Sequence, residues 1–548
     1  MSKRRVMVIG LDGATWELLD GFMDRGLMPR LSALCAEGAK GELNTVVPPM
    51  TATAWTSFVT GKGPGKHGIY DWTEPMANSY VYEPVDSTRV KASTILEIAS
   101  TQGRRVSSVN LPLTFPCRKI NGFAVSGMLT PSVETEGFTW PPDFVDELME
   151  ISPGYEIDTH LTESFDDVLP FCDRLERLIN KRSVLVKELL TREDWDLHVT
   201  VWVEMDRLQH CIWHFIDPDH PNYDADGAAK YADRILEIYT LLDDQIGMMV
   251  DNKGEDCDVI FISDHGFGQC RNKVFLNTWL AEKGFLKFKD ASANDVRGRM
   301  NTVRGVMDKL GVDTRKIVDV AKRIGAGGIL SRQGAALSRF AAGIDWENTV
   351  AYCHGTNSVR INLEGREPSG SVSKEDYADV GERVREALLS MRDKSGEPVI
   401  TKVQLRAEIY SGAEVERASD IVITEHDTSV WFYYSEGTIP DQLFEESGWS
   451  SGNHKPNGIF LGVGPSFDTC DVTGADIIDI APTVLALMGL PIPDDMDGEV
   501  LLSTLLRSDI APIRYTEAEE FTSDSSGGFS DKQRVEIEER LRGLGYLQ

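Results

Sequence analysis

The sequence predicts an α/β fold, a three-layer sandwich around a mainly parallel β-sheet, and three observations support this prediction. Short apolar runs without polar alternation recur along the chain, as expected for strands that are buried on both faces. Segments with helical spacing of apolar residues alternate with these runs. The chain has 548 residues, more than the roughly 100–200 of one ordinary core, so we expect one large domain with insertions or two domains.

The first half of the chain alternates between predicted strands and helices. Residues 4–11 form an apolar run that ends at Asp12 in an Asp-Gly turn, which predicts a buried strand followed by a loop. Residues 27–38 have helical spacing and end at Gly38, a residue typical of helix C-termini. The next predicted elements are a strand (42–47), a helix (51–61), a helix (92–103), a strand (104–112), a strand (195–206) and a helix (230–251).

The second half interrupts this alternation. Residues 286–345 are basic and rich in Gly and Ala, and they predict a helical insertion, either a cap over the site or a peripheral helix pair. Residues 365–415 predict a small α/β cap segment with a helix at 377–391 and a strand near 408–412. Ser530 is a typical N-cap for a C-terminal helix. The predicted organisation is a catalytic core (1–285), the insertion (286–345), the rest of the core (346–515, with a strand at 458–465 and a helix at 479–490) and a linker with the C-terminal helix (516–548).

Charge and composition argue against several classes of function. The net charge of −31 disfavours nonspecific binding of DNA or RNA, because a phosphate backbone would be repelled, but it allows a small phosphorylated substrate in a metal-lined cleft. The basic N-terminus is followed by too short an apolar run for a signal peptide, and no run approaches the ~20 apolar residues of a membrane-spanning helix. The eight cysteines are scattered without a CxxC pair, which indicates reduced thiols and a cytoplasmic protein.

Acidic residues and histidines of the metal-binding type lie beside the predicted strands. They are Asp12, Asp206, His210, Asp264, His265 and His454. Because ligands of open α/β sheets bind at the carboxyl ends of strands, we expect these residues to converge on one edge, with His454 on a nearby loop. The i, i+4 spacing of Asp206 and His210 places both on one face of a helix. Three carboxylates and three imidazoles suffice for two divalent ions such as zinc, manganese or iron.

Each of these residues also has an ordinary structural explanation. Asp12 can serve a turn, the Asp264–His265 pair can form a turn or a helix cap, and His454 can be an exposed loop residue. The complete set, in this order and beside buried strands, favours the metal site.

Several hydroxyl side chains lie in the predicted helix at 51–61, and one of them is a candidate nucleophile. Thr51 stands at the start of the helix, where its hydroxyl can cap the helix or, beside a metal, attack a phosphate held at the helix N-terminus. Thr53 is the nearest competitor. Lys66 and His67 follow in a glycine-rich turn and either contact substrate phosphate or form a solvated basic turn with a packed histidine.

Together these motifs resemble the alkaline phosphatase superfamily, and most closely its type I phosphodiesterase/nucleotide pyrophosphatase branch. The motifs are GLDG (10–13), PPMTATAWTSFVTGKGPGKHGIYD (48–71), DRLQH (206–210), SDHGFG (263–268) and GNHKPNG (452–458). The resemblance covers nearly the whole α/β part and implies the three-layer sandwich of that superfamily. Ala54 departs from the Asn that nucleotide pyrophosphatases usually carry at that position, and no Arg clamp follows Thr51.

The resemblance implies a two-metal phosphohydrolase in which Thr51 is the nucleophile. One metal would be held by Asp12, Thr51, Asp264 and His265, and the other by Asp206, His210 and His454. We expect Zn²⁺, with Mn²⁺ as the alternative, and Trp55, Lys66 and His67 as substrate contacts. The missing Arg clamp favours phosphodiesters, nucleotide-like ones included, over monoesters. A phosphomutase or phosphomonoesterase of the same superfamily and a non-catalytic binding protein with this fold are the alternatives.

Overall fold

Strands and helices alternate along the chain in the computed structural model, as the apolar runs predict. The structure describes residues 4–159, 168–192, 195–289, 343–433, 442–447, 450–506, 510–519, 521 and 527–543. The strands are β1 (Arg5–Leu11), β2 (Ala39–Asn44), β3 (Thr73–Pro75), β4 (Tyr82–Pro84), β5 (Val106–Leu111), β6 (Gly122–Ser126), β7 (Thr139–Trp140), β8 (Leu197–Trp202), β9 (Cys257–Ile262), β10 (Gly266–Gln269), β11 (Asn272–Phe275), β12 (Ala351–Tyr352), β13 (Ser358–Ile361), β14 (Ile400–Leu405), β15 (Ile421–His426), β16 (Val430–Tyr433), β17 (Phe444–Glu446), β18 (Gly452–Lys455), β19 (Asn457–Val463), β20 (Cys470–Asp476), β21 (Ile492–Pro493) and β22 (Tyr515–Thr516). The helices are α1 (Trp16–Asp24), α2 (Pro29–Glu37), α3 (Thr51–Thr60), α4 (Pro64–His67), α5 (Ile95–Thr101), α6 (Phe144–Ile151), α7 (Val168–Thr191), α8 (Glu204–Ile216), α9 (Ala225–Asp251), α10 (Leu276–Glu282), α11 (Tyr377–Leu389), α12 (Arg406–Ile409), α13 (Ile480–Leu487) and α14 (Asp531–Gly543).

A nine-stranded sheet forms the centre of the molecule, with the strand order β20-β2-β19-β9-β1-β8-β5-β6-β7. The run from β9 through β1, β8 and β5 to β6 is parallel throughout. Within this sheet, β19 is antiparallel to both of its neighbours and β7 is antiparallel to β6. The sheet is therefore mainly parallel, as predicted. Because β9, β1 and β8 are neighbours, their carboxyl ends lie side by side at one edge.

Helices cover both faces of this sheet, which confirms the three-layer prediction. In β1, Met7 and Ile9 belong to the core that includes α7, α8 and α9, whereas Val6 and Val8 belong to the core that includes α3, α5 and α13. Successive side chains of a strand point to opposite faces, so both faces of β1 are apolar and buried. This explains why the strand sequence has no polar alternation.

The longest described helices are amphipathic rather than uniformly apolar. In α9, Ile235, Ile238 and Leu242 are buried at helical spacing, and the other face carries charged residues such as Asp233 and Glu237. Among the helices that the structure describes, none is both long and apolar enough to cross a membrane.

The segment between β11 and β18 adds a second, antiparallel sheet with the order β12-β13-β15-β14, against which α11 packs. We call this sheet and α11 the cap. Strand β10 follows β9 directly and pairs with β18. This pairing carries His454, on β18, to the edge where β9 ends.

One predicted strand is a helical turn in the structure, and another is shifted along the chain. The strand predicted near 408–412 is wrong: β14 ends at Leu405, and α12 follows at once. The Glu408 carboxylate accepts a hydrogen bond of 2.8 Å from the Leu405 N–H, which closes this helical turn. The strand predicted over 42–47 begins and ends earlier, because β2 pairs with β19 from Ala39 to Asn44.

The C-terminal helix begins where its capping residue predicts. The Ser530 hydroxyl accepts a hydrogen bond from the Gln533 N–H at 3.4 Å, and the Gln533 side chain accepts one from the Ser530 N–H at 2.8 Å. Most of the predicted insertion, residues 290–342, lies outside the described residues.

The close approach of α3 to β1 depends on a glycine. A Cβ atom at Gly10 would lie 2.4 Å from Cη2 of Trp55 and 2.9 Å from Cγ2 of Val201. We therefore expect Gly10→Ala to lower the free energy of unfolding by about 1–3 kcal/mol, measured by urea denaturation. Gly21→Ala is the matched control, because Gly21 lies exposed in α1 with nothing within 4 Å of an added Cβ. That change should be neutral or stabilising by up to about 1 kcal/mol, and equal effects of both variants would refute the packing argument.

Candidate metal centre and active site

The six predicted metal-binding residues lie together at the carboxyl edge of β9, β1 and β8. Asp12 follows β1, and the Asp264–His265 pair forms the sharp connection between β9 and β10. Asp206 and His210 lie one turn apart in α8, which follows β8 after one residue. Strand order therefore explains why residues so distant in sequence become neighbours.

The first group consists of Asp12, Asp264 and His265. The Nε2 atom of His265 lies 3.2 Å from Oδ2 of Asp264 and 3.8 Å from Oδ1 of Asp12. The Thr51 hydroxyl lies 3.4 Å from the same Nε2 atom. All four residues are buried. The structure thus brings together the four residues that the resemblance assigns to one metal.

The second group consists of Asp206, His210 and His454. The Nε2 atom of His454 lies 3.2 Å from Oδ1 of Asp206 and 3.2 Å from Nε2 of His210. The Nε2 atom of His210 lies 3.5 Å from the same Asp206 oxygen. These are the three residues that the resemblance assigns to the other metal.

The two groups adjoin each other and form one continuous site. The rings of His265 and His454 stack with their centroids 3.6 Å apart. The Nε2 atom of His265 also lies 3.9 Å from Oδ1 of Asp206. This arrangement suits two neighbouring ions better than two independent sites.

The orientation of all three imidazoles fits metal binding. In each ring, Nδ1 lies within hydrogen-bond distance of a backbone carbonyl, which can only accept, so Nδ1 carries the proton and Nε2 keeps its lone pair. The contacts are His265 to Gly266 (3.0 Å), His210 to Gly452 (3.2 Å) and His454 to Pro49 (3.0 Å). All three Nε2 atoms face the carboxylates, as ligands of a shared cation would.

In the first group, Oδ1 of Asp12 and Oδ2 of Asp264 are buried and have no hydrogen-bond partner among the described residues. The other oxygen of each carboxylate is occupied: Asp12 accepts from the Trp55 indole at 3.0 Å, and Asp264 accepts from the Gly13 N–H at 3.2 Å. Leaving a buried anionic oxygen unsatisfied is costly, and a divalent cation would satisfy both. The residues present therefore fit a metal centre.

Burial and mutual repulsion perturb the titration of these groups. Burial, together with the charges of Asp264 and Asp206, raises the pKa of Asp12 well above its usual range. Burial and the charge of Asp206 raise the pKa of Asp264 to about 7. Burial lowers the pKa of His265 and of His210, which favours the neutral, ligating form of both rings. Neutral rings at His265 and His210 cannot offset the charge of the surrounding carboxylates, so the site calls for added positive charge.

Two supporting residues were not among the predicted site residues. The fully buried Arg207 donates to Oδ2 of Asp206 at 2.6 Å and grips Asp158 through two bonds of 3.0 and 3.3 Å. Arg207 thus directs Oδ1 of Asp206 toward the histidines. Its place directly after Asp206 in DRLQH was a usable signal, whereas nothing in the sequence pointed to Asp158.

The predicted substrate contact of Trp55 is wrong. The Trp55 side chain is fully buried, and its indole N–H binds Asp12. It orients a carboxylate of the metal centre and has no surface left for substrate.

The predicted substrate contacts of Lys66 and His67 are also not supported. They lie beyond the C-terminal end of α3, about 15 Å along the helix from Thr51 at its other end. The Lys66 ammonium pairs with Asp497 at 2.5 Å. His67 is fully buried; it accepts from the Ile69 N–H at 3.1 Å and its Nε2 lies 2.9 Å from the Ser57 hydroxyl. Both residues fix the turn after α3.

Two further details differ from expectation. Thr51 is the first residue of α3 rather than its N-cap, which is Met50, so the Thr51 hydroxyl is not used for capping. His454 lies on a strand rather than on a loop, because residues Gly452–Lys455 pair with β10.

The fold and this site define a class, the phosphoric ester hydrolases of the alkaline phosphatase superfamily. A family profile described as Type I phosphodiesterase / nucleotide pyrophosphatase matches residues 6–457, well over half of the chain. The chain belongs to this family. No curated protein has a matching sequence.

Solved structures share the fold at low sequence identity. Murine ectonucleotide pyrophosphatase / phosphodiesterase 5 aligns at 14% identity over 92% of this chain and 100% of its own, with a TM-score of 0.50. Phosphonoacetate hydrolase from Sinorhizobium meliloti 1021, in complex with phosphonoacetate, aligns at 14% identity over 89% of this chain and 96% of its own, with a TM-score of 0.52. An inactive form of the murine protein is in complex with AMP.

Metal should stabilise the protein more at about pH 8 than at about pH 5.5. The folded-state pKa of Asp264, about 7, lies above the value of roughly 4 in an unfolded chain. Its protonated form therefore stabilises the fold below pH ~4, and this contribution is lost as pH rises to about 7. Above that pH a bound cation can neutralise the Asp264 carboxylate in place of the proton. At low pH, protons compete with the cation for the same carboxylate. We expect the increase in Tm on adding Zn²⁺ or Mn²⁺ to chelator-treated protein to be larger at the higher pH, measured by scanning fluorimetry.

Two variants control this experiment. Asp264→Asn should lose most of the metal-dependent increase in Tm, because the ligand charge is gone. Asp251→Asn removes a surface carboxylate that pairs with Arg30 and should keep the full increase. Equal metal effects in Asp264→Asn and the unaltered protein would contradict the assignment.

Removing the Arg207 guanidinium should weaken metal binding. We expect Arg207→Met to lower affinity for Zn²⁺ or Mn²⁺ about 10–100-fold, because Asp206 would lose the contact that fixes its orientation. The milder Asp158→Asn should act in the same direction, which covers the case in which Arg207→Met does not fold. Arg192→Met, at a surface ion pair with Glu147, is the control. Metal titration by calorimetry is the measurement, and unchanged affinity in folded Asp158→Asn protein would exclude the supporting role.

Proposed function

We propose that this protein is a two-metal phosphodiesterase that cleaves small phosphodiesters, nucleotide-like ones included, through a covalent phospho-Thr51 intermediate. The observation that carries the proposal is the position of the Thr51 hydroxyl. It lies at the first residue of α3 and 3.4 Å from Nε2 of His265, beside both groups of ligands. The metals proposed are Zn²⁺ or Mn²⁺, in keeping with a mixed set of imidazoles and carboxylates.

The other hydroxyls of α3 are poor candidates for the nucleophile. Thr56, Ser57 and Thr60 each donate to the carbonyl one turn earlier, at distances of 2.7, 2.9 and 2.7 Å. Thr53 is fully buried and has no hydrogen-bond partner. Thr51 alone among these five residues contacts a ligand of the metal centre.

The chemistry divides between the ions and the chain. When bound by the two groups of ligands, the divalent ions would supply Lewis-acid stabilisation of charge on the oxygens around phosphorus. Thr51 is the first residue of α3, and the free N–H groups at a helix N-terminus favour a phosphate. Thr51 attacks phosphorus: the Oγ1–P bond forms, the bond to the leaving alkoxide breaks, and the hydroxyl proton passes through solvent to the departing alkoxide. Water then cleaves the phospho-threonine and restores the hydroxyl.

A diester is favoured over a monoester because Arg207, an arginine that contacts a predicted metal ligand, is already committed. Arg207 contacts Asp206 and Asp158 and supports the centre rather than clamping a dianionic phosphate. The relatives of known structure bind small phosphorylated ligands, AMP in one and phosphonoacetate in the other. The eight free cysteines are in keeping with the proposed cytoplasmic location.

Replacing the nucleophile should abolish turnover without removing the metals. We expect Thr51→Ala to lower the kcat for bis-p-nitrophenyl phosphate by at least about 10³-fold while metal binding changes little, because the carboxylates and imidazoles remain. Thr53→Ala is the matched control two positions further into the helix and should keep most of the activity. Full activity in Thr51→Ala would eliminate the nucleophile assignment.

The same assay separates the alternatives. Faster turnover of p-nitrophenyl phosphate than of the diester would identify a monoesterase. Isomerisation of a phosphorylated sugar without release of phosphate would identify a mutase. Protein that binds neither ion and cleaves neither ester would be a non-catalytic member of the fold.

A further inference from the structure

We propose that a small pocket beside the metal centre recognises an uncharged, hydroxyl-bearing group of the substrate, such as a sugar or polyol esterified to the phosphate. We call it the Asn453 pocket, and its walls include Met50, Asn357, His426, Trp431, Asn453 and His454. This inference rests on the proposed function and specifies its class of substrate.

The position of the pocket suits the second substituent of a phosphodiester. One wall contains His454, a predicted metal ligand, and another contains Met50, which directly precedes Thr51. The cavity is small, about 30 Å³. Because Met50 and His454 both line the pocket, a small group attached to a phosphorus atom beside Thr51 would reach into it.

Asn453 presents a hydrogen-bond acceptor to this pocket. Its Nδ2 group donates to the carbonyls of Thr428 and Val430, at 3.0 and 3.2 Å. Both amide hydrogens are thereby used, and the carbonyl oxygen is the polar atom that remains for a ligand.

Asn357 presents its side-chain carbonyl oxygen as a second acceptor, because its amide nitrogen is held by His426. Nδ1 of His426 lies 2.8 Å from the Asp427 carbonyl and must carry the proton, so Nε2 accepts from the Asn357 amide at 3.1 Å. The backbone of Asn357 is left-handed, with φ of 53°, and its carbonyl accepts from the Ile423 N–H at 2.8 Å. Asn adopts this conformation more readily than most residues. The fixed backbone keeps the Asn357 side chain at the pocket.

Trp431 supplies a flat apolar wall. Its ring stacks on His210 with centroids 5.7 Å apart and planes at 27°, so it extends from the metal centre into the pocket. A rigid aromatic face next to fixed polar atoms is a common way to bind a ring with hydroxyl groups.

The charge of the pocket disfavours anions. Of the pocket-lining residues in the described part of the chain, none is Asp, Glu, Lys or Arg. Burial lowers the pKa of His426, so its ring is neutral at pH 7. The two carbonyl acceptors would repel a carboxylate or a second phosphate and would be satisfied by hydroxyl donors, and a hydroxyl can also accept from the second amide hydrogen of Asn357.

The test compares two diesters that differ in one substituent. Glyceryl p-nitrophenyl phosphate and carboxymethyl p-nitrophenyl phosphate carry a diol and a carboxylate, respectively. Binding of each to metal-loaded Thr51→Ala protein is measured by calorimetry, and hydrolysis by the unaltered protein is followed as release of p-nitrophenolate. We expect at least about tenfold tighter binding of the glyceryl ester, because its two hydroxyls can donate hydrogen bonds to the two Asn carbonyls and a carboxylate has no proton to donate.

Variants in the same Thr51→Ala background connect this preference to the pocket. Asn357→Gly keeps the left-handed backbone but removes the acceptor, and Asn453→Leu removes the other acceptor. Each should reduce the preference to within about threefold. Asn78→Gly is the matched control, because Asn78 is also left-handed, with φ of 52°, and lies exposed elsewhere. It should leave the preference unchanged.

The outcomes for the pocket and for the proposed function are distinguishable. Equal binding of the two esters, or tighter binding of the carboxymethyl ester, would overturn the pocket proposal even if both are hydrolysed. A preference that survives in Asn357→Gly and Asn453→Leu would overturn it as well. Preferential binding of the glyceryl ester without hydrolysis by metal-loaded, unaltered protein would support the pocket and refute the phosphodiesterase.

Discussion

The burial of three carboxylates within a few ångströms of one another is the constraint on which the rest of the site depends. Asp12, Asp206 and Asp264 follow three neighbouring strands of the central sheet, so the parallel topology itself forces them together. Their repulsion would destabilise the fold if nothing opposed it, and burial, with this repulsion added to it, raises the pKa of Asp12 and of Asp264. Burial lowers the pKa of His265 and of His210, so these two rings in neutral form do not offset the charge of the carboxylates. This arrangement of carboxylates and imidazoles therefore fits a binding site for divalent cations.

The surroundings of the centre serve to orient ligand atoms. Backbone carbonyls hold each histidine with Nε2 toward the carboxylates, the Trp55 indole occupies one oxygen of Asp12, and Arg207 occupies one oxygen of Asp206. Each contact restricts a ligand side chain to one orientation before a metal binds, so metal binding loses less conformational entropy. The turn that follows α3 has a different task, since Lys66 and His67 lock the far end of that helix in place.

The proposed chemistry and the proposed specificity depend on different parts of the molecule. The ligand groups and Thr51 belong to loops and helices at the edge of the central sheet, the architecture shared with murine ectonucleotide pyrophosphatase / phosphodiesterase 5 and with phosphonoacetate hydrolase. The pocket beside them takes Asn357 and His426 from the ends of cap strands. Placing the reaction and the binding of the substituent on different residues is one way in which a fold can serve many substrates. This division explains why the family is easier to assign than the substrate.

The sequence by itself determined the fold class, the family and the set of chemical groups, because buried parallel strands, an i, i+4 pair such as Asp206 and His210, and a helix start at Thr51 are local patterns. Tertiary structure alone decided which atoms of those groups are available. The carbonyl of Pro49 that orients His454, the partnership of Arg207 with Asp158, and the burial of Trp55 and His67 all join segments that are distant in the chain. Periodicity reports which way a side chain leaves its own helix or strand, and it contains no information about the partner that the side chain will meet.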